Sequence, residues 1–274
     1  MLSSLALCID NLKLLCMKKI IFAMFAGGLL LFSLPILAQD KNEEVVRPKN
    51  IIKFNLSSVA LNHYSFQYER AYAPRRSFAL GFGFSPNVSL PFKSTLSDAF
   101  GDNEDAARAI ESTKFSKITI TPEYRFYVGK NKAPSGFYVA LFARYSHMKL
   151  SQDYTFTPNS GNLHTAKLTG NINGVGAGVM IGSQWLFGKK KNISFDWWIA
   201  GPFIGGMNGK FKGTDPDMNE LDAQDRADLE SDIEGFDIPL WKVDATIGAN
   251  TIDAKLKGTF FGFRTFGFCL GYAF

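Results

Sequence analysis

From residue 50 to the end of the chain, bulky apolar side chains alternate with small or polar ones in short runs, each closed by a turn-forming stretch. Ile52, Phe54 and Leu56 alternate with Lys53, Asn55 and Ser57; after "VALNH", Tyr64, Phe66 and Tyr68 alternate with Ser65, Gln67 and Glu69. Successive side chains of a strand point to opposite faces, so a period of two predicts strands with one bulky apolar face. The third strand follows "APRR", with Phe78, Leu80, Phe82 and Phe84 set against Ser77, Ala79, Gly81 and Gly83. Ile118, Ile120, Tyr124 and Phe126 against Thr119, Thr121, Glu123 and Arg125 make the fourth. In the fifth, Phe137, Val139, Leu141 and Tyr145 oppose Tyr138, Ala140, Arg144 and Ser146, with Phe142 falling on the polar side. Val175, Ala177, Val179 and Ile181 alternate with Gly174, Gly176, Gly178 and Gly182 in the sixth. The seventh sets Ile193, Phe195, Trp197 and Ile199 against Ser194, Asp196, Trp198 and Ala200. In the closing "TFFGFRTFGFCLGYAF", Phe266, Phe268, Leu270, Tyr272 and Phe274 share one parity, and Thr265, Gly267, Cys269, Gly271 and Ala273 the other.

Connection lengths sort these eight strands into an antiparallel meander. "APRR", "GKNKAPSG" and "GKKKN" are short, whereas the intervening breaks, from Pro86 to Ser116, from Ser151 to about Thr165 and from Gly201 to about Lys257, are long. Short turns at one end and long loops at the other are the pattern of an up-and-down membrane barrel, with turns periplasmic and loops extracellular. "VALNH" is a short exception on the long-loop side. The expected fold is therefore all-β: an eight-stranded antiparallel transmembrane β-barrel over 50–274, with two long extracellular loops, one of them helical. That helix is read in "DMNELDAQDRADLESDIEG", with Met218, Leu221, Leu229 and Ile233 on one side and Gly235 at its end. A short helix is also read in "SDAFGDNEDAARAIES".

Composition fits this reading, with 26 Phe and 25 Gly suiting strands in close backbone approach better than helices. Met17, Lys18 and Lys19 precede the apolar run Ile20 to Leu34, then Pro35 to Ala38 and polar Gln39, which is the order of a cleaved secretory signal peptide. The run is shorter than the ~20 residues of a membrane-spanning helix. Residues 1–38 are thus expected to be presequence and signal peptide, with Met17 the start, and 39–49 a periplasmic segment. Removing 1–38 lowers the net charge from +5 to about +3, which gives no case for nucleic-acid binding. Cys269 then stands alone, so no internal disulfide is expected.

A soluble lipocalin-like barrel would turn the bulky apolar face inward, but eight strands enclose too little space for so many Phe rings. With that face against lipid, Lys53, Glu69, Glu123, Arg125, Arg144 and Asp196 point into the lumen, three of each sign. Balanced charge in a narrow lumen predicts mutual salt bridges that plug it; a narrow pore or small-molecule conduit is the alternative. The glycines of the sixth strand either make room for Tyr138, Phe142 or Trp198, or line a small cavity. Tyr72, Phe126, Phe137, Trp185, Phe187, Phe195, Trp197, Tyr272 and Phe274 gather near the short-turn ends, as an interfacial girdle would.

The stretches "NIIKFNLSSVALNHYSFQYER", "PEYRFY" and "ISFDWWIAGP", with the aromatic last strand, resemble a family of bacterial outer-membrane barrels known as a domain of unknown function. The resemblance extends over everything after the signal peptide, with "YSFQYER" and "FDWWI" its most specific parts. It implies a barrel comparable to the small OmpA and OmpX barrels, and brings no reaction, ligand or catalytic residue with it. The terminal Phe266, Phe268, Leu270, Tyr272 and Phe274 likewise resemble the signal read by the outer-membrane assembly machinery.

Function is accordingly expected in structure or surface contact through the long loops, in the bacterial outer membrane, with outer-membrane lipids, lipopolysaccharide and the assembly machinery as partners. A second alternative is a membrane-edge lipid hydrolase or acyltransferase, which needs a placed nucleophile and base. His63, His147 and His164 are the three histidines; His147 has Tyr145 and Lys149, not Ser, two residues to either side, and His63 and His164 are read in loops, so no enzyme is expected. The acidic stretch Asp215 to Asp237 contains no D-x-D-x-D-G loop. It reads as an acidic lid over the barrel mouth, or as a surface for a basic partner or for cation bridging to lipopolysaccharide. No cofactor or metal is expected.

Overall fold

Unbroken alternation carries the chain up and down as long strands. The computed structural model describes residues 47–89, 93, 111–129, 131–156, 164–215, 221–234, 240–264 and 266–274. The expected signal peptide and the segment up to Val46 lie outside these residues, as does most of the short helix read in the third connection. The strands are β1 (Asn50–Asn55), β2 (Tyr64–Ala73), β3 (Arg76–Ser89), β4 (Lys114–Val128), β5 (Gly136–Phe156) and β6 (His164–Phe187). They are followed by β7 (Ile193–Ala200), β8 (Pro202–Thr214), β9 (Trp241–Ile247), β10 (Thr251–Phe263) and β11 (Gly267–Ala273). A 3-10 turn covers Ser57–Leu61, and a helix, α1, covers Ala223–Glu234.

All pairings are antiparallel, and a ring of eight strands closes through β1 to β7 and β11. The closure is the pairing of β1 with β11, from Ile51 opposite Ala273 to Asn55 opposite Cys269. Phe274 completes it, its N–H donating to the Asn50 carbonyl at 2.8 Å and its carbonyl accepting from the Asn50 N–H at 2.9 Å.

The stretch expected as one long loop, from Gly201 to about Lys257, contains β8, β9 and the start of β10. β8 continues β7 upward and pairs with β6, while β10 pairs with β8 and leads into β11. Both composite strands slip phase at one level: Ser194, Asp196 and Trp198 face inward on even numbers below, and Met207 is buried on odd numbers above. In the last strand Leu256 and Arg264 are buried on even numbers, then Cys269 and Ala273 on odd ones. Phe266, at φ 53°, sits in that slip, and the Arg264 N–H donates to the Gly201 carbonyl at 2.8 Å, tying the two irregularities together. An extra residue in a strand kinks and twists it.

Above the slip, β9 takes the place beside β10 that β1, only six residues long, does not reach. Its edge N–H groups are covered by the helix: Ala245 donates to Glu234 at 3.0 Å and Ile247 to Glu230 at 3.4 Å. Leu221 and Leu229 pack with Ala166 and Ile252, so α1 rests on the sheet through the apolar side that its sequence presents. Along the edge of the last strand, no described residue pairs as a strand with Phe260 to Arg264 on the β1 side. This seam lies between the 3-10 turn and β9.

Candidate functional site in the barrel lumen

Strand parity sends Lys53, Glu69, Glu123, Arg125 and Asp196 inward from four strands, and the register brings them to one level. Glu69 pairs across to Ala79, which pairs in turn with Glu123, while Asp196 lies opposite Gln184 and Cys269. Small neighbours leave the space. A side chain at Gly271 would meet Lys53 Cγ at 2.9 Å, so the glycine is what lets the lysine lie across the lumen.

The Lys53 ammonium donates to Glu69, Gln184 and, at 2.7 Å, Asp196. Arg125 donates through Nε and Nη2 to Glu123 Oε2 at 3.0 and 2.8 Å, through Nη1 to Asp196 at 2.8 Å and through Nη2 to Gln67 at 2.8 Å. Its guanidinium also lies 4.3 Å from the centre of the Tyr138 ring. The carboxylates are satisfied in turn: Tyr127 and Ser77 donate to Glu69 Oε1, and Tyr138 to Asp196 Oδ1 at 2.8 Å. The side chains of Lys53, Glu69, Glu123, Arg125 and Asp196 are wholly buried. Leaving any one of them unpaired here would cost several kcal/mol, so the network is arranged to leave none.

Arg144 is not part of it. Arg264 stands in its place, its Nη2 2.7 Å from Glu123 Oε1 and its guanidinium 4.3 Å above the Trp198 ring. The network thus has three charges of each sign, but with Arg264 in it and Arg144 outside it. Arg144 lies higher in the lumen, 5.8 Å from the centre of the Phe203 ring. Gln67, Tyr127 and Tyr138 share the inward parity of the named residues, and that parity was the signal by which they could be found. Arg264 had no such signal, because the phase slip reverses its face.

The glycines of β6 make room for aromatic rings. A Cβ on Gly182 would meet the Tyr138 hydroxyl at 2.4 Å, one on Gly178 the Phe142 ring at 2.9 Å, and one on Gly174 the Phe260 ring at 2.8 Å. Trp198 fits against Gly267 of β11 rather than against β6. Phe142, irregular in the sequence pattern, is a buried inward residue whose ring meets Phe203 edge-on. Above it the filling is apolar, with Ile172, Met207 and Leu256 packed against Met148, Phe211 and Trp241.

Outside, the apolar face is exposed all round, through Ile52, Phe66, Phe82, Ile120, Leu141 and Val179 among others. So broad an apolar surface on a closed ring is a surface for lipid. Tyr72, Phe126, Phe137, Phe187, Tyr272 and Phe274 are exposed on this face toward the short-turn end. Trp185, Phe195 and Trp197 are half-buried there, with Trp185 and Trp197 bracketing a stack that runs through Phe195 and Phe268. Phe266 and Leu270 are also exposed. The histidines are dispersed: His63 turns inward to the Ser85 hydroxyl at 3.0 Å, and His147 contacts Asn173 at 2.9 Å. His164, expected in a loop, begins β6 and is buried against Asp215 at 2.8 Å. Among the described residues no group of three metal-ligating side chains comes together.

Comparison with curated proteins gives no match. Among solved structures, a major outer membrane protein from Thermus thermophilus is similar at 12% identity and a TM-score of 0.30, covering 78% of this chain and 98% of that one. The model of the family described as "Protein of unknown function (DUF3575)" matches residues 29–222. The match begins within the apolar N-terminal run and ends before α1, so it does not extend over β9 to β11, where the sequence resemblance was expected to continue. It covers more than half of the chain, and the protein belongs to this family.

Proposed function

We propose that the protein is an outer-membrane barrel whose lumen is sealed and whose work is done at its long-loop end. The observation that carries this reading is the filling of the lumen in two layers. Wholly buried ion pairs lie below, and a packed apolar cluster beneath α1 lies above. Water and ions passing the lower layer would have to separate Lys53 and Arg125 from three carboxylates at once. In planar bilayers the refolded protein is expected to give no steady conductance. Steady channels whose conductance no substitution of Arg125 or Lys53 alters would sink the sealed-lumen reading.

Charge at the other end supports contact with acidic lipid. Just above the apolar band the exposed outward positions include Lys149, Lys210, Lys212, Lys242, Lys255 and Lys257, with Asp244 opposite Lys255 and Asp253 opposite Lys212. Lys210 lies directly opposite Lys255, and Lys257 opposite Lys242. Like charges facing across a ladder repel, a cost that an anionic surface such as the phosphates of lipopolysaccharide would offset.

The closing strand carries a role in assembly. Phe274 donates and accepts the last bonds of the β1–β11 closure while its ring stays exposed and stacked on Tyr272. Deleting Phe274 is expected to reduce the amount of barrel inserted in the outer membrane by several-fold. Unchanged outer-membrane levels of the deletion would count against an assembly signal at this end.

A further inference from the structure

The wall that rises above the apolar band carries its lysines in register. Across β5, β6, β8, β10 and β9, the first outward row above the band is His147, Asn173, Asn208, Lys257 and Lys242. The next row up is Lys149, Asn171, Lys210, Lys255 and Asp244. These two rows hold five lysines against one aspartate, all exposed. Higher on the same five strands the charges are matched: Lys212 lies opposite Asp253, and Lys167 opposite Asp153. Lys114, at that upper level, stands apart on β4 opposite Ser151. A surface whose lysines served only solubility would mix both signs at every height. Here the surplus on this wall is confined to the level where lipid gives way to water. Among the described residues none of the five lysines makes an ion pair, not even Lys255 beside Asp244.

Four of the five form a compact group. Lys210 stands opposite Lys255, and Lys257 opposite Lys242. Residues opposite each other lie about 5 Å apart between Cα atoms, and Lys255 and Lys257, two positions apart on β10, about 7 Å. Such spacing lets the two ammonium groups of a pair close on the oxygens of one phosphate. Below Lys210, on the same side of β8, come Asn208 and then Gly206, where a Cβ would meet nothing within 4 Å. Gly206 lies between Val175 on β6 and Thr259 on β10, so its missing side chain leaves a notch in the outer wall. Val175 and Ile204, which border the notch, are 60% and 66% exposed. Cationic donors directly above an open apolar notch fit a ligand with phosphate at one end and hydrocarbon at the other.

We propose that Lys210, Lys255, Lys257 and Lys242 form a headgroup site for a phosphorylated lipid of the outer leaflet, of the lipopolysaccharide class, with an acyl chain in the notch at Gly206. Two opposed lysine pairs, one row apart, suit a headgroup that carries two phosphates. The site rests on the reading of this end of the barrel as a contact for acidic lipid, and it is independent of whether the lumen is sealed.

The test uses the full mature chain refolded in dodecyl maltoside, with its thermal midpoint followed as diphosphoryl lipid A or, separately, phosphatidylglycerol is titrated. Lipid A is expected to raise the midpoint saturably and at lower concentration than phosphatidylglycerol. Two double variants remove equal charge from the same wall. Lys210→Gln with Lys257→Gln breaks both opposed pairs, and Lys167→Gln with Lys212→Gln removes the matched lysines above. All four side chains are exposed, so both variants are expected to fold. The first should keep a lipid-free midpoint at or above that of the parent, because like charges no longer face each other. It should weaken lipid A by at least about tenfold, through loss of charge-assisted contacts to phosphate, and the second by less than about twofold. Equal weakening by the two variants would mean that lipid A answers only to overall charge, which overturns the site and leaves the general contact with acidic lipid standing. A parent that responds to phosphatidylglycerol as strongly as to lipid A overturns the assignment to the lipopolysaccharide class. A parent that responds to neither overturns both the site and the reading on which it rests.

Discussion

Replacing Arg125 with methionine is expected to destabilise the folded barrel by about 3–5 kcal/mol, the usual result of removing one partner from a buried ion pair. The side chain is fully buried and serves five acceptor groups: Glu69, Glu123, Asp196, Gln67 and Gln184. Methionine keeps much of its volume, so the loss is electrostatic rather than a cavity. Lys53 still reaches Glu69 and Asp196 in the variant, but Glu123 keeps only Arg264 and Gln67, and the level as a whole gains one uncompensated negative charge. The measurement is urea unfolding of the barrel in phospholipid vesicles, followed by tryptophan fluorescence. Arg144→Met is the matched control, with the same chemical change in the same lumen and no ion pair lost, and its stability should equal or exceed that of the parent. If the two variants behave alike, the network does not hold the lower barrel together.

The contrast between these two arginines also marks where sequence reasoning succeeds and where it stops. Lys53, Glu69, Glu123, Arg125 and Asp196 were legible because each sits in an unbroken period-two run, which fixes its face, and because closure of the ring leaves inward charges nowhere to go but toward one another. Which cations meet which anions depends on the strand register and on the slip at Gly201 and Phe266. A pattern with period two cannot report a slip until the slip is known, so it hides Arg264 and points Arg144 to a network it does not join.

The same limit explains the strands that were read as loop. β10 alternates as regularly as β3, but with the opposite sense: Ile252, Ala254 and Leu256 are buried while Asp253, Lys255 and Lys257 are exposed. Strands within the apolar band put bulky apolar groups outside, against lipid; strands that rise above it put them inside and polar groups outside, against water. A reader expecting one sense throughout sees the other as a break. β6 crosses from one regime to the other within a single strand, with Val175 and Val179 exposed below and Ala166 and Ile172 buried above. The short β1 and its substitute β9 follow from the same change, because the wall above the band is built from a later part of the chain. Neither the seam between them nor the helix covering the edge of β9 has a signature in local alternation.

Alanine at Gly205 is expected to cost about 3 kcal/mol, whereas alanine at its neighbour Gly206 should be neutral or slightly stabilising. The two residues share a strand, a composition and an adjacent position, but they face different surroundings. A Cβ on Gly205 would lie 1.9 Å from the Val175 carbonyl oxygen and 2.4 Å from the Gly176 Cα, both backbone atoms. A Cβ on Gly206 would meet nothing within 4 Å. No side-chain rotation can relieve the first clash. β6 cannot yield easily either, because it is also paired along its whole length with β5, from Gly136 opposite Gln184 to Phe156 opposite His164. Relief would have to come from β8 moving away, which would strain its bonds to β6 and β10 next to the slip that positions Arg264. Gly205→Ala should therefore lower both the unfolding midpoint in urea and the refolding yield, with Gly206→Ala unchanged in each. Equal behaviour of the pair would mean that β6 and β8 do not approach at Gly205, and that the slip is held by something other than the backbone contact between them.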